Sequence, residues 1–392
     1  MKWQSCKNLL IIRLDNMGDL LMSVPAMNAL KQTFRSRITV LTSSSAKGIA
    51  DHIPAIDEVI VYDVPWMKSV LERTPSNAFN VIDLVRAKKF DAAVILTVFS
   101  QNPLPAAMLA YMAQIPLRLA YCRENPYHLL TDWVPEKEPY ETIRHQVRRD
   151  LDLVKHIGAT IEDEAISIAL PEGKWGSAQT KLMQSGAKVN QPWIICHPGV
   201  SEIKRQYPVD DWVEAIKKMK SALNCQIILT GVEHERPLTE DIRLRAGSET
   251  ISVAGTLSLE EFIMVIDHAP LVITVNTSTA HIAAATKTKV IVLYAMTNPQ
   301  HTPWKAEGRV LPFSVPDALK SKNEILRFVD KKCFPVATVK VSPDEIVDAA
   351  QTMFYAATSE MIPENFDFLV LKKKRVVEPI QQSAPKLGAP YI

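Results

Sequence analysis

Two carboxylates, Asp15 and Asp19, stand four residues apart after a short apolar run, Leu9-Leu10-Ile11-Ile12. The run has the length of a buried strand. Arg13 closes it, a polar loop follows to Gly18, and from Asp19 apolar residues recur at helical spacing (Leu20, Leu21, Val24, Met27, Leu30). The spacing predicts a strand, a loop and one helix from Asp19, with Gly18 supplying a tight or left-handed turn. In open α/β sheets, ligands lie beyond the carboxyl ends of strands, so this loop is a natural place for chemistry. Asp19 is placed to take a proton from an attacking hydroxyl. It is equally placed to stabilise a helix start, by about 0.3–1 kcal/mol. Asp15 is the competing base, or a loop-shaping residue bonded to its own backbone. Arg13 is positioned to orient either carboxylate.

A second set of residues suits an anion. Lys204 and Arg205 lie in the loop after the apolar run 193–197, and Thr277-Ser278-Thr279 open a helix after the run 271–275. Backbone N–H groups and hydroxyls at such a start hold phosphate, or simply cap the helix. His281, one turn further, contacts the same anion or serves packing. Glu233 and Glu235 follow the strand 226–230, and sequence does not separate them as partners for ribose hydroxyls. Arg144, His145, Arg148 and Arg149 cluster on a helix expected over 142–158 and closed by Gly158. They form either a receptor for an anionic acceptor or a solvated charged face.

These residues need a scaffold, and the chain supplies one. Expected strands at 38–42, 59–62 and 90–97 alternate with helices at 46–52, 80–88 and 103–114, which implies a parallel sheet covered on both faces. Residues 121–139 are rich in Pro and aromatics and are expected to loop over the sheet edge. Periodicity weakens over 159–190, placing an interdomain connection near 170–181, and a second strand–helix series begins at Pro192. Ser258 with Glu261, and Ser342 with Glu345, have capping-box spacing and mark helix starts. A length of 392 residues favours two domains. A formal net charge of +2 gives no global attraction to nucleic acid. Five scattered cysteines, never spaced CxxC, argue against a zinc cluster or disulfide framework and for a reducing cytoplasm. No signal peptide or 18-residue apolar span is expected. The tail carries Lys372-Lys373-Lys374-Arg375, either solvated or touching the anionic lipid of the inner membrane surface.

Three motifs, taken together and in order, resemble glycosyltransferase family 9, the ADP-heptose:lipopolysaccharide heptosyltransferase family. They are Ile11-Ile12-Arg13 through Met17-Gly18-Asp19 to Pro25; His197-Pro198-Gly199 through Lys204 to Pro208; and Val275-Asn276-Thr277-Ser278-Thr279-Ala280-His281. The resemblance spans roughly residues 8–350. It implies an α/β GT-B fold of two Rossmann-like domains facing a central cleft, and an inverting, metal-independent transfer without a cofactor. The domains would be 1–170 for the acceptor and 171–340 for the nucleotide-sugar, with a C-terminal helix at 341–358 packing back on the first and a mobile basic tail at 359–392.

In that frame Asp19 is the catalytic base. Lys204, Arg205, Glu235, Asn276, Thr277, Ser278 and His281 bind an ADP-heptose donor, Lys204 matching the family's phosphate-binding lysine. Arg13, Arg144 and Arg148 receive a glycan or lipopolysaccharide-core acceptor. Two departures stand out. Lys204 to Pro208 is one residue longer than the family's pattern, and Asn276-Thr277-Ser278 stands where the family has Asp-Thr-Gly. Competing classes are a GT-B-shaped sugar-nucleotide epimerase and a non-catalytic sugar-nucleotide binder. A nicotinamide oxidoreductase is disfavoured by the lack of GxGxxG.

Overall fold

The computed structural model describes residues 2–67, 74–356 and 360–369. Six strands form the first sheet: β1 (Asn8–Arg13), β2 (Arg37–Thr42), β3 (Glu58–Val61), β4 (Ala92–Ile95), β5 (Leu117–Cys122) and β6 (Asp132–Pro135), in the order β3-β2-β1-β4-β5-β6. Six more form the second: β7 (Trp193–His197), β8 (Gln226–Leu229), β9 (Thr250–Ser252), β10 (Val272–Val275), β11 (Val290–Ala295) and β12 (Gly308–Phe313). Their order is β12-β11-β10-β7-β8-β9, the same topology read from the other edge. All ladder pairs are parallel. Strand order reverses between β1 and β4 and between β7 and β10, so each half has its ligand crevice there.

Helices cover both sheets. The first half holds α1 (Met17–Met22), α2 (Val24–Phe34), α3 (Ser44–Ala50), α4 (Pro75–Ala87), α5 (Leu104–Met112) and α6 (Gln146–Lys155). The second holds α7 (Lys174–Gln184), α8 (Val209–Leu223), α9 (Arg236–Ala246), α10 (Leu259–His268), α11 (Ser278–Ala285), α12 (Glu324–Cys333) and α13 (Pro343–Tyr355). Among the described residues no helix is long and apolar enough to cross a membrane.

Several elements depart from expectation. The helix expected from Asp19 is two, α1 and α2, because Pro25 has no N–H to continue the ladder. At the break, the Ser23 hydroxyl donates to Asp150 at 2.7 Å and lies 3.2 Å from the Asp19 carbonyl. The expected loop 121–139 contains the end of β5 and all of β6. Arg118 inside β5 spoils the apolar pattern, yet its guanidinium is buried against the Leu129 and His128 carbonyls. The expected interdomain connection at 170–181 is largely α7, which packs on α10 through Lys181 and Glu261, 2.7 Å apart. Helix α6 starts at Gln146 rather than 142, with His145 Nδ1 accepting from Val147 N–H at 3.2 Å. Gly158 has the expected left-handed φ of 89°, and both capping boxes form.

The C-terminus also corrects the sequence reading. Helix α13 packs not on the N-terminal half but on α8: Lys218 pairs with Asp344 at 2.7 Å, and Tyr355 OH donates to the Leu223 carbonyl at 3.2 Å. Residues 360–369, expected to begin a mobile tail, run beside β12. Gly308 N–H donates to the Glu360 carbonyl and Ile362 N–H to that of Ala306. Phe368 is buried among Tyr294, Phe334 and Phe366. The Lys372–Arg375 run lies outside the described residues.

The halves are joined through the segment after β11. Gln146 N–H donates to the Gln300 carbonyl at 3.0 Å, and Gln300 Nε2 donates to Glu138 at 3.1 Å and to the Arg144 carbonyl at 2.7 Å. Trp304 Nε1 donates to the Glu164 carbonyl at 2.7 Å. Beneath this seam Arg149 is buried between Glu136 and Glu138. Removing one partner of a buried ion pair leaves an uncompensated charge. Arg149→Met is therefore expected to lower unfolding free energy by about 3–5 kcal/mol in urea titrations; an unchanged midpoint would show that this buried ion pair does not stabilise the N-terminal half.

Candidate active site

A cavity of about 400 Å³ opens where the two switch points face each other. The loop after β1, the loop after β7 and the start of α11 after β10 supply most of its wall. Asp19, Arg205, Glu235, Asn276, Thr277, Ser278 and His281 all line it. Residues from both halves, nearly 260 positions apart in sequence, thus meet at one place.

Asp19 does both things its position allows. It is the third residue of α1, and its Oδ2 accepts from Asn16 N–H at 3.3 Å, closing a capping box. Its Oδ1 lies 3.5 Å from Arg13 Nη2 and 3.9 Å from His301 Nε2. Burial, reinforced by Asp15, raises its pKa to about 6, against the opposing pull of Arg13 and Arg205. It is thus mostly ionised at neutral pH and a stronger proton acceptor than an ordinary aspartate.

Asp15 faces elsewhere. Its carboxylate accepts from Gln101 Nε2 and lies 3.4 Å from Arg13 Nε, and it lines a separate cavity of about 250 Å³. Arg13, fully buried, stands between the two acids rather than on the surface of the cleft, so it orients Asp19 without lining the cavity.

Gly18 serves packing and not the turn expected of it. It lies inside α1, without the left-handed φ of a turn. A Cβ on it would sit 3.0 Å from His281 Cδ2 and 3.5 Å from Ser278 Cα. The missing side chain lets α1 of one half cross α11 of the other. His281 is buried there, its pKa lowered to about 3 by desolvation and by His145 and Arg205, and is therefore neutral.

The anion-binding candidates sort themselves. Arg205 faces the cleft: its Nη1 donates to the Asn276 carbonyl at 3.3 Å, its Nη2 lies 3.4 Å from Glu202, and its buried Nε has no hydrogen-bond partner. Lys204, the lysine that the resemblance implied, instead pairs with Glu202 at 3.1 Å and lines a neighbouring cavity. Thr277 and Ser278 open α11 into the cavity, with no side-chain cap on the helix. Glu235 is distinguished from Glu233. Its Oε2 accepts from Val232 N–H at 2.8 Å, and a Cβ on Gly199 would lie 2.2 Å from its carboxylate. Glu233 points outward and pairs with Arg236.

Asn276 has a structural account. Its Oδ1 accepts from Ala295 N–H at 3.1 Å while its Nδ2 donates to the Ala295 carbonyl at 3.2 Å, tying β10 to β11 at the edge of the cleft. An aspartate could accept the first bond but not donate the second.

Arg144 and Arg148 do not reach the cavity. Arg144 is held by Glu138 and Asp152, and Arg148 by Glu164 and Glu364, so they neither form a solvated face nor face an acceptor at Asp19. His197, which opens the second motif, also lines the cavity, while Tyr294, Asn298 and His301 line it without having carried a sequence signal. His301 lines the site, largely buried, and desolvation with the neighbouring His281 and Arg205 pushes its pKa well down, so it is neutral.

Two Rossmann-like halves facing each other across this cleft define the GT-B architecture. The chain belongs to glycosyltransferase family 9 (heptosyltransferase), whose profile matches residues 79–327. It is 24% identical to lipopolysaccharide heptosyltransferase 3 of Escherichia coli over 299 residues, covering 74% of this chain and 83% of that one. Among solved structures it is similar to a family 9 glycosyltransferase from Veillonella parvula, with TM-score 0.72 and 18% identity, covering 90% of this chain and 98% of the other. It is also similar to the E. coli ADP-heptose lps heptosyltransferase II, with TM-score 0.67 and 18% identity, over 88% and 98%.

The Gly18–His281 contact yields a test. Gly18→Ala is expected to cost about 1–3 kcal/mol of stability by overpacking. His281→Ala in the same chain should recover part of it, giving a coupling of about 0.5–3 kcal/mol in a double-mutant cycle. Additive losses would mean that the two helices do not meet there.

Proposed function

We propose that this glycosyltransferase moves a heptose from ADP-heptose to a lipopolysaccharide-core acceptor, inverting the anomeric centre without a metal, at the cytoplasmic face of the inner membrane. The observation that carries this reading is the placement of Asp19 Oδ1, free of the helix cap and facing one cavity with Arg205, Glu235 and the start of α11. Family membership and the names of the relatives support the sugar and the acceptor class.

An acceptor hydroxyl gives its proton to Asp19 Oδ1 while its oxygen bonds the anomeric carbon. The bond from that carbon to the diphosphate breaks on the opposite face, and the diphosphate leaves with the electron pair. Arg205 and the first N–H groups of α11 stabilise the developing charge. Glu235, fixed by Val232 and pressed against Gly199, accepts from the ribose hydroxyls. Arg13 holds Asp19 in place, and neutral His281 and His301 leave the cationic work to Arg205.

Three outcomes test this. Asp19→Asn should reduce transfer by about 10²–10⁴ with ADP affinity within about twofold; parallel loss of both would remove Asp19 as the base. In the wild type, kcat/KM should fall about tenfold per pH unit below about 6, because the base must be deprotonated and its pKa lies there. Stability runs the other way. The folded carboxyl holds its proton up to about 6, against 3.8 unfolded, so protonation favours the fold and this contribution is lost as pH rises through 6. Asp19→Asn should accordingly melt higher than wild type at pH 8, by up to about 3 kcal/mol.

A further inference from the structure

Beside the catalytic cleft, and sharing Thr297 with it, lies a second cavity of about 740 Å³. Its wall is the turn 317–322 and one face of α12. This is ample room for a sugar residue. Met296, Leu319 and Leu326 give it an apolar floor, and the remaining lining is dominated by charge.

The charges are unbalanced. Asp317 and Asp330 are both taken by Lys320, at 3.0 and 3.1 Å. Lys204 at the inner rim is paired with Glu202. That leaves Lys322, Arg327 and Lys331 on the wall with no ion pair among the described residues. Arg327 and Lys331 are four apart on α12, where like charges repel and weaken a helix. The helix is nonetheless firmly held. Asn323 caps it, accepting from Ile325 N–H at 2.9 Å, and Lys332 reaches the N-terminal half to donate to the Pro139 and Tyr140 carbonyls, both at 3.1 Å. Phe328 packs on Tyr140 with ring centres 5.0 Å apart. Arg327 and Lys331 are thus presented on a fixed helix, with Lys322 on the turn before it, around a hollow that adjoins the cleft at Thr297.

We propose that this cavity is a subsite for a phosphorylated sugar of the acceptor glycan, with Arg327, Lys331 and Lys322 holding the phosphate. The guanidinium fork of Arg327 suits two phosphate oxygens at once, and the two lysines add point charge. The acceptor's reacting hydroxyl then lies across Thr297, in the cleft. This inference rests on the assignment of a glycan acceptor made above.

The test is calorimetric titration of the full chain, with ADP present, using a phosphorylated core oligosaccharide and the same oligosaccharide after phosphatase treatment. The variant is Arg327→Gln with Lys331→Gln, two exposed positions whose replacement is checked by an unchanged melting temperature. The wild type should bind the phosphorylated form at least about tenfold more tightly, and the variant should lose that preference while binding ADP within twofold of wild type. This corresponds to about 1.4 kcal/mol. Equal binding of the phosphorylated form by both proteins would overturn the subsite. Loss of ADP affinity in the variant would also overturn it, by assigning these cations to the donor. Wild-type protein that binds ADP but neither oligosaccharide refutes the subsite alone; protein that binds neither ADP nor oligosaccharide contradicts the glycosyl-transfer reading as well.

Discussion

Arg13 is a cation removed from water at the end of the first strand, and much of the N-terminal half is arranged around it. Desolvating such a charge costs several kcal/mol, and only well-placed opposite charge offsets this. Asp15 and Asp19 flank it from two sides, and Asp150 adds its field from α6. Burial raises the pKa of both Asp19 and Asp150; Asp15 adds to the rise on Asp19, while Arg13 pulls both down. Asp150 is steadied by Ser23 at the α1–α2 break and by Gln146, while Asp19 is steadied by its own helix cap. The break in the helix, the start of α6 and the candidate base therefore meet at one buried charge cluster.

The second constraint is steric and joins the halves. Helix α1 approaches α11 closely enough that a single methyl at Gly18 would press on His281. Because α11 begins at the switch point of the second sheet, this contact brings its N-terminus to within the same cavity as Asp19. Gln300 and Trp304 fix the seam from the other side. Asp19 and the start of α11 come from separate halves, and both contacts hold them in register at one cavity.

Much of this was legible in the sequence where local physics decides. The buried strands β1, β7, β10 and β11 are near-continuous apolar runs, and the capping boxes at Ser258 and Ser342 are short-range patterns. What escaped was decided at long range. Strand β5 hides a buried arginine satisfied by carbonyls, and α7 buries only Ala178 and Leu182, too few for a clear period. Arg148 looked like a free cation because its partners Glu164 and Glu364 are 16 and 216 residues away. The choice of Arg205 over Lys204 depends on how one short 3₁₀ turn points two adjacent side chains. Nothing local marks Gly18 as a packing glycine, since the atom it must avoid belongs to residue 281.

The central claim is that the Arg13-centred charge cluster holds Asp19 buried and ionisable near neutrality. The most direct measurement is a carbon NMR titration of aspartate carboxyls in the labelled protein, with Asp19→Asn identifying the resonance. A carboxyl titrating at about 6, present in the wild type and missing from the variant, is the predicted result. An Asp19 that titrates with the ordinary aspartates, near 4, would contradict the account, because the carboxylate would then be an exposed helix cap and not a base tuned by its burial.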